Sequence, residues 1–222
     1  MCGRFTLTLD PIELREIFNL MEMPEEWMQR FNIAPSQLVA VLTNPDERRI
    51  DFFQWGLVPS WAKDPSIGFR LINARSETIA EKPSFRSALA RRRCLILADG
   101  FYEWKKMGGK TPSMPYYFKL KDNKPFAFAG LWEQWQPPEG NLLKSCTIIT
   151  CPANELVGSV HDRMPVMFDA AHSWQWIENR PQEDLQNMLQ PFPPELMSAY
   201  PVGRAVNSPN NDEPGLIKPV AA

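Results

Sequence analysis

Leu38-Val39-Ala40-Val41-Leu42, then Asn44-Pro45-Asp46-Glu47, then Ile50-Asp51-Phe52-Phe53-Gln54-Trp55-Gly56 is the stretch that decides the fold class. An aliphatic and β-branched run, a cluster of turn formers and an aromatic-rich extended run are the pattern of a β-hairpin. Outward from it, further strands are expected at 71–77, 94–99, 115–120, 126–131, 145–150, 164–168 and 202–206, with Gly108-Gly109 and Asp122-Asn123 as hairpin turns. Asp10-Pro11-Ile12-Glu13 begins a helix that runs to about Leu20, with Asp as N-cap, Pro in the first turn and Glu three residues on. Other helices are expected near 84–91, 153–159, 170–178 and 183–190. Strands dominate and do not alternate regularly with helices, which predicts an α+β fold with a mostly antiparallel, barrel-like β core and peripheral helices.

The 222 residues suffice for one substantial core, and no shift of composition marks a linker, so a single domain over 1–222 is expected. The 22 prolines are scattered, as befits many turns and irregular loops. No apolar run reaches the roughly 20 residues that span a bilayer, and no basic-then-apolar leader opens the chain, so a cytoplasmic protein without membrane contact is expected, nucleoid-associated in a prokaryote. Four cysteines without a CxxC pair and only two histidines predict no metal, and no cofactor is expected. Cys94 and Cys146 fall in apolar strand-like runs that suit buried, inert thiols, leaving Cys2 as the one that looks chemically available.

A net charge of −2 argues against a generic, charge-driven nucleic-acid binder. Local basic groups remain: Arg91-Arg92-Arg93, Lys105-Lys106 with Lys110, and Arg70 with Arg75 could each face a phosphate backbone or simply be solvated surface.

Cys2 follows the initiator, and loss of Met1 would leave an α-amine and a thiol on one residue. Such a 1,2-aminothiol traps aldehydes: the amine forms an imine and the thiol closes a five-membered thiazolidine. At pH 7.5 an α-amine of pKa near 7.7 to 8.0 is roughly one-third unprotonated, against about 0.1% of an ordinary lysine.

Three segments carry further candidates. In Leu71-Ile72-Asn73-Ala74-Arg75-Ser76-Glu77 the period of a strand puts Asn73, Arg75 and Glu77 on one face. The plain reading is an Arg75–Glu77 pair with Asn73 on backbone groups; the functional one gives Asn73 a hydrogen bond to a reacting sugar and Arg75 a phosphate. In Asp99-Gly100-Phe101-Tyr102-Glu103-Trp104, Gly100 lets the chain bend so that Glu103 emerges among aromatic surface that raises its proton affinity, and Trp104 offers a face for base stacking. In His161-Asp162-Arg163-Met164-Pro165, His161 is a candidate proton shuttle, Arg163 a phosphate ligand and Asp162 their structural partner. Arg4 could clamp another phosphate, and Asn32-Ile33-Ala34-Pro35 and Trp55 to Trp61 are loops that either pack or wedge against bases.

Taken together, Met1-Cys2-Gly3-Arg4-Phe5, Asn32-Ile33-Ala34-Pro35, Trp55-Gly56-Leu57, Asn73-Ala74-Arg75-Ser76-Glu77, Asp99 to Trp104, His161 to Pro165 and Val206-Asn207 resemble the SOS response-associated peptidase (SRAP) family, whose motifs run in the same order. The resemblance implies a single α+β domain that binds single-stranded DNA containing abasic sites, including at single-strand/double-strand junctions, and acts as a monomer. It implies a lyase-like crosslinking activity, in which a thiazolidine forms between Cys2 and the open-chain aldehyde and shields the lesion. Carried over by position, Cys2, Asn73, Glu103 and His161 would be catalytic, with Arg4, Arg75 and Arg163 holding phosphates and Asn32, Pro35 and Trp104 meeting flanking bases. Two other readings stand beside it: a Cys2-dependent autopeptidase with an N-terminal nucleophile, and a plain single-strand-binding module with a passive Cys2.

Overall fold

The computed structural model describes residues 2–109 and 111–221. Met1, whose removal the aminothiol reading requires, and Lys110 of the Lys105-Lys106 cluster lie outside the described residues.

In chain order the strands are β1 (Phe5–Leu7), β2 (Arg30–Ile33), β3 (Leu38–Leu42), β4 (Asp51–Trp55), β5 (Asn73–Arg75), β6 (Arg93–Ala98), β7 (Gly100–Lys105), β8 (Met114–Leu120), β9 (Phe126–Trp135), β10 (Leu143–Pro152), β11 (Arg163–Pro165), β12 (Met167–Asp169) and β13 (Met197–Pro201). The helices are short: α1 (Pro11–Phe18), α2 (Arg86–Arg91), α3 (Glu155–Gly158), α4 (Ala170–Ser173) and α5 (Gln182–Asn187). Asp10 caps α1 as its sequence predicts, its side chain accepting from Ile12 N, and Asn19 ends the helix in the left-handed region.

The hairpin at 38–56 forms β3 and β4, with Leu38 opposite Gln54 and Ala40 opposite Phe52. It is part of a closed ring, because β10 pairs with β4, β4 with β3, β3 with β6, β6 with β9, and β9 again with β10. Closure leaves no edge within the ring. Two pairings of β10, with β4 and with β5, are parallel, so the sheet is mixed. A second, five-stranded sheet, in the order β13-β8-β7-β1-β2, lies against this barrel. The seam is aromatic: Phe5 meets Trp55 at 5.2 Å and Phe128 at 5.5 Å between ring centroids, and Phe101 meets Phe128 at 6.3 Å.

The α+β class and barrel-like core stand as the sequence predicts, with local corrections. The expected strand at 71–77 is only Asn73–Arg75, because Ser76 and Glu77 already turn. The expected strand at 202–206 is a single bridge at Val202 followed by a 3-10 turn over Arg204–Asn207. Gly108-Gly109 does join paired strands, β7 and β8, but Asp122-Asn123 carries the chain from β8 in one sheet to β9 in the other and closes no hairpin. The segment after Asp99 is a strand, β7, rather than a bend. What Gly100 supplies there is room, since a Cβ at that position would sit 2.1 Å from the Tyr117 hydroxyl oxygen. Gly100→Ala is therefore expected to cost about 3 kcal/mol by overpacking and to lower Tm by roughly 6–12 °C in a thermal melt.

A smaller cluster of Phe31, Tyr102, Tyr117, Val202, Val206 and Leu216 packs the last stretch of chain onto the outer sheet. The Tyr102 hydroxyl donates to Phe31 O at 2.8 Å and the Tyr200 hydroxyl to Ile217 O at 2.9 Å, while Asp212 accepts from Arg30 Nε at 2.6 Å. This fixes residues 204–217 beside the N-terminal segment.

Candidate active site

The start of the chain is threaded between the two sheets. Phe5 pairs with Phe101, Tyr102 N donates to Arg4 O at 3.0 Å, and Cys2 O accepts from Asn73 Nδ2 at 2.8 Å. Residues 2–4 thus run beside Tyr102-Glu103-Trp104 of β7 on one side and reach β5 on the other. Asn73 Oδ1 is buried with no hydrogen-bond partner among the described residues, an acceptor left for a donor from elsewhere.

Glu103 is 2% exposed. Burial pushes its carboxyl up to about 7 against the opposing pull of the N-terminal ammonium, and the Asp162 carboxylate adds to the rise; the direction is the one its aromatic surroundings predict. Burial also pushes the Cys2 thiol well above the ordinary range, and the Glu103 charge adds to that, so the two groups are electrostatic neighbours. Cys2 is fully buried, as are Cys94, Cys146 and Cys151. Its expected availability is corrected: with Met1 still attached, the sulfur is no more open than the other three.

His161 lies on the approach to β11. Its Nδ1 is 3.0 Å from Arg163 N, which can only donate, so in the neutral ring Nδ1 is the acceptor and Nε2 holds the proton. Asp162 Oδ1 at 3.1 Å is the partner that Nδ1 acquires on protonation. Burial lowers the His161 pKa and favours the neutral form.

The residues assigned to DNA divide into two groups. Arg75 is exposed, and Pro35 and Trp104 are half-buried. Trp104 Nε1 donates to Asn207 Oδ1 at 2.8 Å, and Arg4 lies 5.9 Å from the Trp104 ring centre. Asn32 is the exception to its expected base contact. It is fully buried: Nδ2 donates to Val206 O, Ser208 O and Asn211 O at 3.3, 2.9 and 2.6 Å, and Oδ1 accepts from Arg4 Nη1 at 2.7 Å. Asn32 bolts the last stretch of chain to Arg4 and has no face left for a base. Arg163 is engaged within the protein: its side chain is 12% exposed and both of its Nη atoms bind the Glu77 carboxylate. Asn207, the partner of Trp104, falls in a quoted motif, but nothing in its sequence neighbourhood specifies that bond.

Among the described residues no group of three or more His, Cys, Asp and Glu side chains is arranged to hold a metal ion, and no helix is long and apolar enough to cross a membrane.

The barrel is seamed to an outer sheet, and the N-terminal segment is held at that seam beside a buried carboxyl and an amide. The chain belongs to the family whose model, described as SOS response associated peptidase (SRAP), matches residues 1–209. It is 47% identical over 223 residues to the abasic site processing protein YoqW of Bacillus subtilis (strain 168), covering 98% of this chain and 99% of that one. It is 31% identical over 266 residues to the abasic site processing protein HMCES of Gallus gallus, covering 99% of this chain and 78% of that one. A solved protein from Bacteroides thetaiotaomicron shares the fold with a TM-score of 0.87 at 24% identity, covering 99% of this chain and 100% of that one. One from Bordetella bronchiseptica does so with a TM-score of 0.79 at 26% identity, covering 91% and 100%.

Proposed function

We propose that this protein processes abasic sites in single-stranded DNA, capturing the open-chain aldehyde as a thiazolidine on Cys2 once Met1 has been removed. The amine adds to C1′ to give a carbinolamine, loss of water gives an iminium, and the thiol sulfur then bonds to the same carbon. The thiol proton leaves to a base, and one water is released overall.

Each of the residues assigned to the chemistry suits a step. Asn73 Nδ2 holds the Cys2 carbonyl while its free Oδ1 can accept from a sugar hydroxyl. Glu103, with a proton affinity near neutrality, can protonate the departing hydroxyl and later accept the thiol proton. His161 in its Nε2–H form is a second donor. Arg4 and Arg75 are assigned to phosphates, and Trp104 with Pro35 to flanking bases. The names of the relatives support the substrate class. The observation that carries the reading is the convergence of Asn73 and Glu103 on the Cys2 residue.

A peptidase acting through a Cys2 thiolate fits less well, because burial and the Glu103 charge both oppose ionisation of the thiol. In the amine-first route sulfur enters second, after the iminium has made carbon electrophilic. The test is a denaturing gel of an abasic oligonucleotide mixed with protein whose loss of Met1 is verified by intact mass. A heat-stable shifted band with the abasic strand and none with the intact strand is expected; no band with the processed protein rules the reading out.

A further inference from the structure

Glu77 and Arg163 are far apart in the chain, yet they meet across β10. The C-terminal half of β10 has β5 on one side, where Ile148, Ile149 and Thr150 pair with Asn73, Ala74 and Arg75. It has β11 on the other, where Thr150, Cys151 and Pro152 pair with Pro165, Met164 and Arg163. Thr150 is shared by both pairings. From β11, Arg163 Nη1 and Nη2 reach Glu77 Oε1 and Oε2, the second at 2.9 Å, and Nη2 also donates to Thr150 O at 2.7 Å and Thr150 Oγ1 at 3.2 Å. From the β5 side, Ser76 N donates to the same Thr150 O at 2.9 Å. Asn73 lies four residues before Glu77, and His161 two residues before Arg163.

We propose that Glu77 is a positioning residue: through Arg163 and Thr150 it locks the strand bearing Asn73 to the segment bearing His161, and so sets the spacing of those two groups. Its kinetic consequence rests on the thiazolidine reading. The geometry calls for a planar fork that grips both carboxylate oxygens while touching a third acceptor, which lysine does not provide. With its charge matched by Glu77, Arg163 is a tie within the protein whatever else it meets when DNA is bound. Arg163 holds the Glu77 carboxyl down at about 2, so the tie persists through neutral and mildly acidic pH.

The test compares Glu77→Gln, Arg163→Lys, Arg163→Met and the double variant Glu77→Gln/Arg163→Met in the processed protein. In the DNA-free protein, the Asn73 side-chain amide and His161 imidazole resonances are expected to move in both Glu77→Gln and Arg163→Lys. Single-turnover crosslinking to an abasic oligonucleotide is expected to slow roughly 10- to 100-fold. Affinity for an intact strand should not weaken in Glu77→Gln, and the double variant should crosslink within about twofold of Arg163→Met, because the two residues act as one unit. Two results overturn the proposal. One is unchanged resonances in Glu77→Gln. The other is an Arg163→Lys that keeps the wild-type rate while Arg163→Met loses strand affinity and has a salt slope smaller by about 0.7, as loss of one phosphate ligand would give. Should the wild type itself form no adduct, the thiazolidine reading falls, and the resonances alone decide whether Glu77 positions Asn73 and His161.

Discussion

Cys2→Ala is expected to abolish the heat-stable adduct with abasic DNA while leaving an imine that borohydride can trap. With Met1 removed, the alanine variant keeps the α-amine, so the first bond to C1′ still forms, but an imine hydrolyses. Permanence comes from the sulfur, which sits on the same residue as the nitrogen and adds within the molecule. Well-oriented neighbouring groups of this kind reach effective molarities on the order of 10⁵ M or more, which external thiols at millimolar concentration do not replace. The expected loss of stable product on a denaturing gel is therefore about 10³-fold or greater, with borohydride restoring a band. A stable adduct in the alanine variant, without reductant, would remove the thiol from the mechanism. Retention of Met1 should be as severe, since the Cys2 nitrogen is then an amide.

The barrel was largely legible because its strands are apolar runs separated by Pro, Gly, Asn and Asp, and such runs declare themselves locally. β7 was not, because Gly100, Glu103 and Lys105 read as turn and surface, whereas tertiary packing buries Glu103 and uses the missing side chain of Gly100 to admit Tyr117. The strands β1, β2 and β13 were also missed; each is short and owes its pairing to the outer sheet. At the site, the types of residue were readable and their allegiances were not. Period two predicts Asn73, Arg75 and Glu77 in a row, but the strand stops at Arg75, and Glu77 turns away to Arg163, 86 residues on. Asn32 looked like a loop amide available to a base; its three hydrogen bonds to residues 206–211 exist only because the last stretch of chain folds back onto β2, and Arg4 takes its oxygen. Cys2 looked open by virtue of its position, and β1 pairing with β7 draws it inside. Local chemistry survives in sequence; long-range partners do not.

Glu103→Gln is expected to slow crosslinking by about 10²–10⁴-fold and, at alkaline pH, to make the protein more stable. Both effects follow from one buried carboxyl with a folded pKa of about 7 against an ordinary 4.5. The sign runs toward acid. Below pH 4.5 folded and unfolded chains both hold the proton, and the stabilisation is complete. As pH rises toward 7 the unfolded chain releases its proton while the folded one keeps it, and stability falls. Above 7 the fold must carry a buried carboxylate, a difference of about 3 kcal/mol. Glutamine fills the same space without ionising, so at pH 8 the variant should melt roughly 6–12 °C above the wild type, and at pH 4 to 4.5 the two should nearly coincide. In single-turnover kinetics the wild-type rate should rise from pH 6 as the amine, with a pKa near 7.7 to 8.0, is freed, and bend over above about pH 7 as Glu103 loses the proton it gives to the departing hydroxyl. The variant should keep only the limb due to the amine. Equal rates and equal melting at pH 8 would mean that Glu103 is neither the proton carrier nor a buried charge, and the catalytic assignment would pass to His161 alone. A slower yet more stable variant is the signature of a site where the fold tolerates an unfavourable charge because the chemistry needs it.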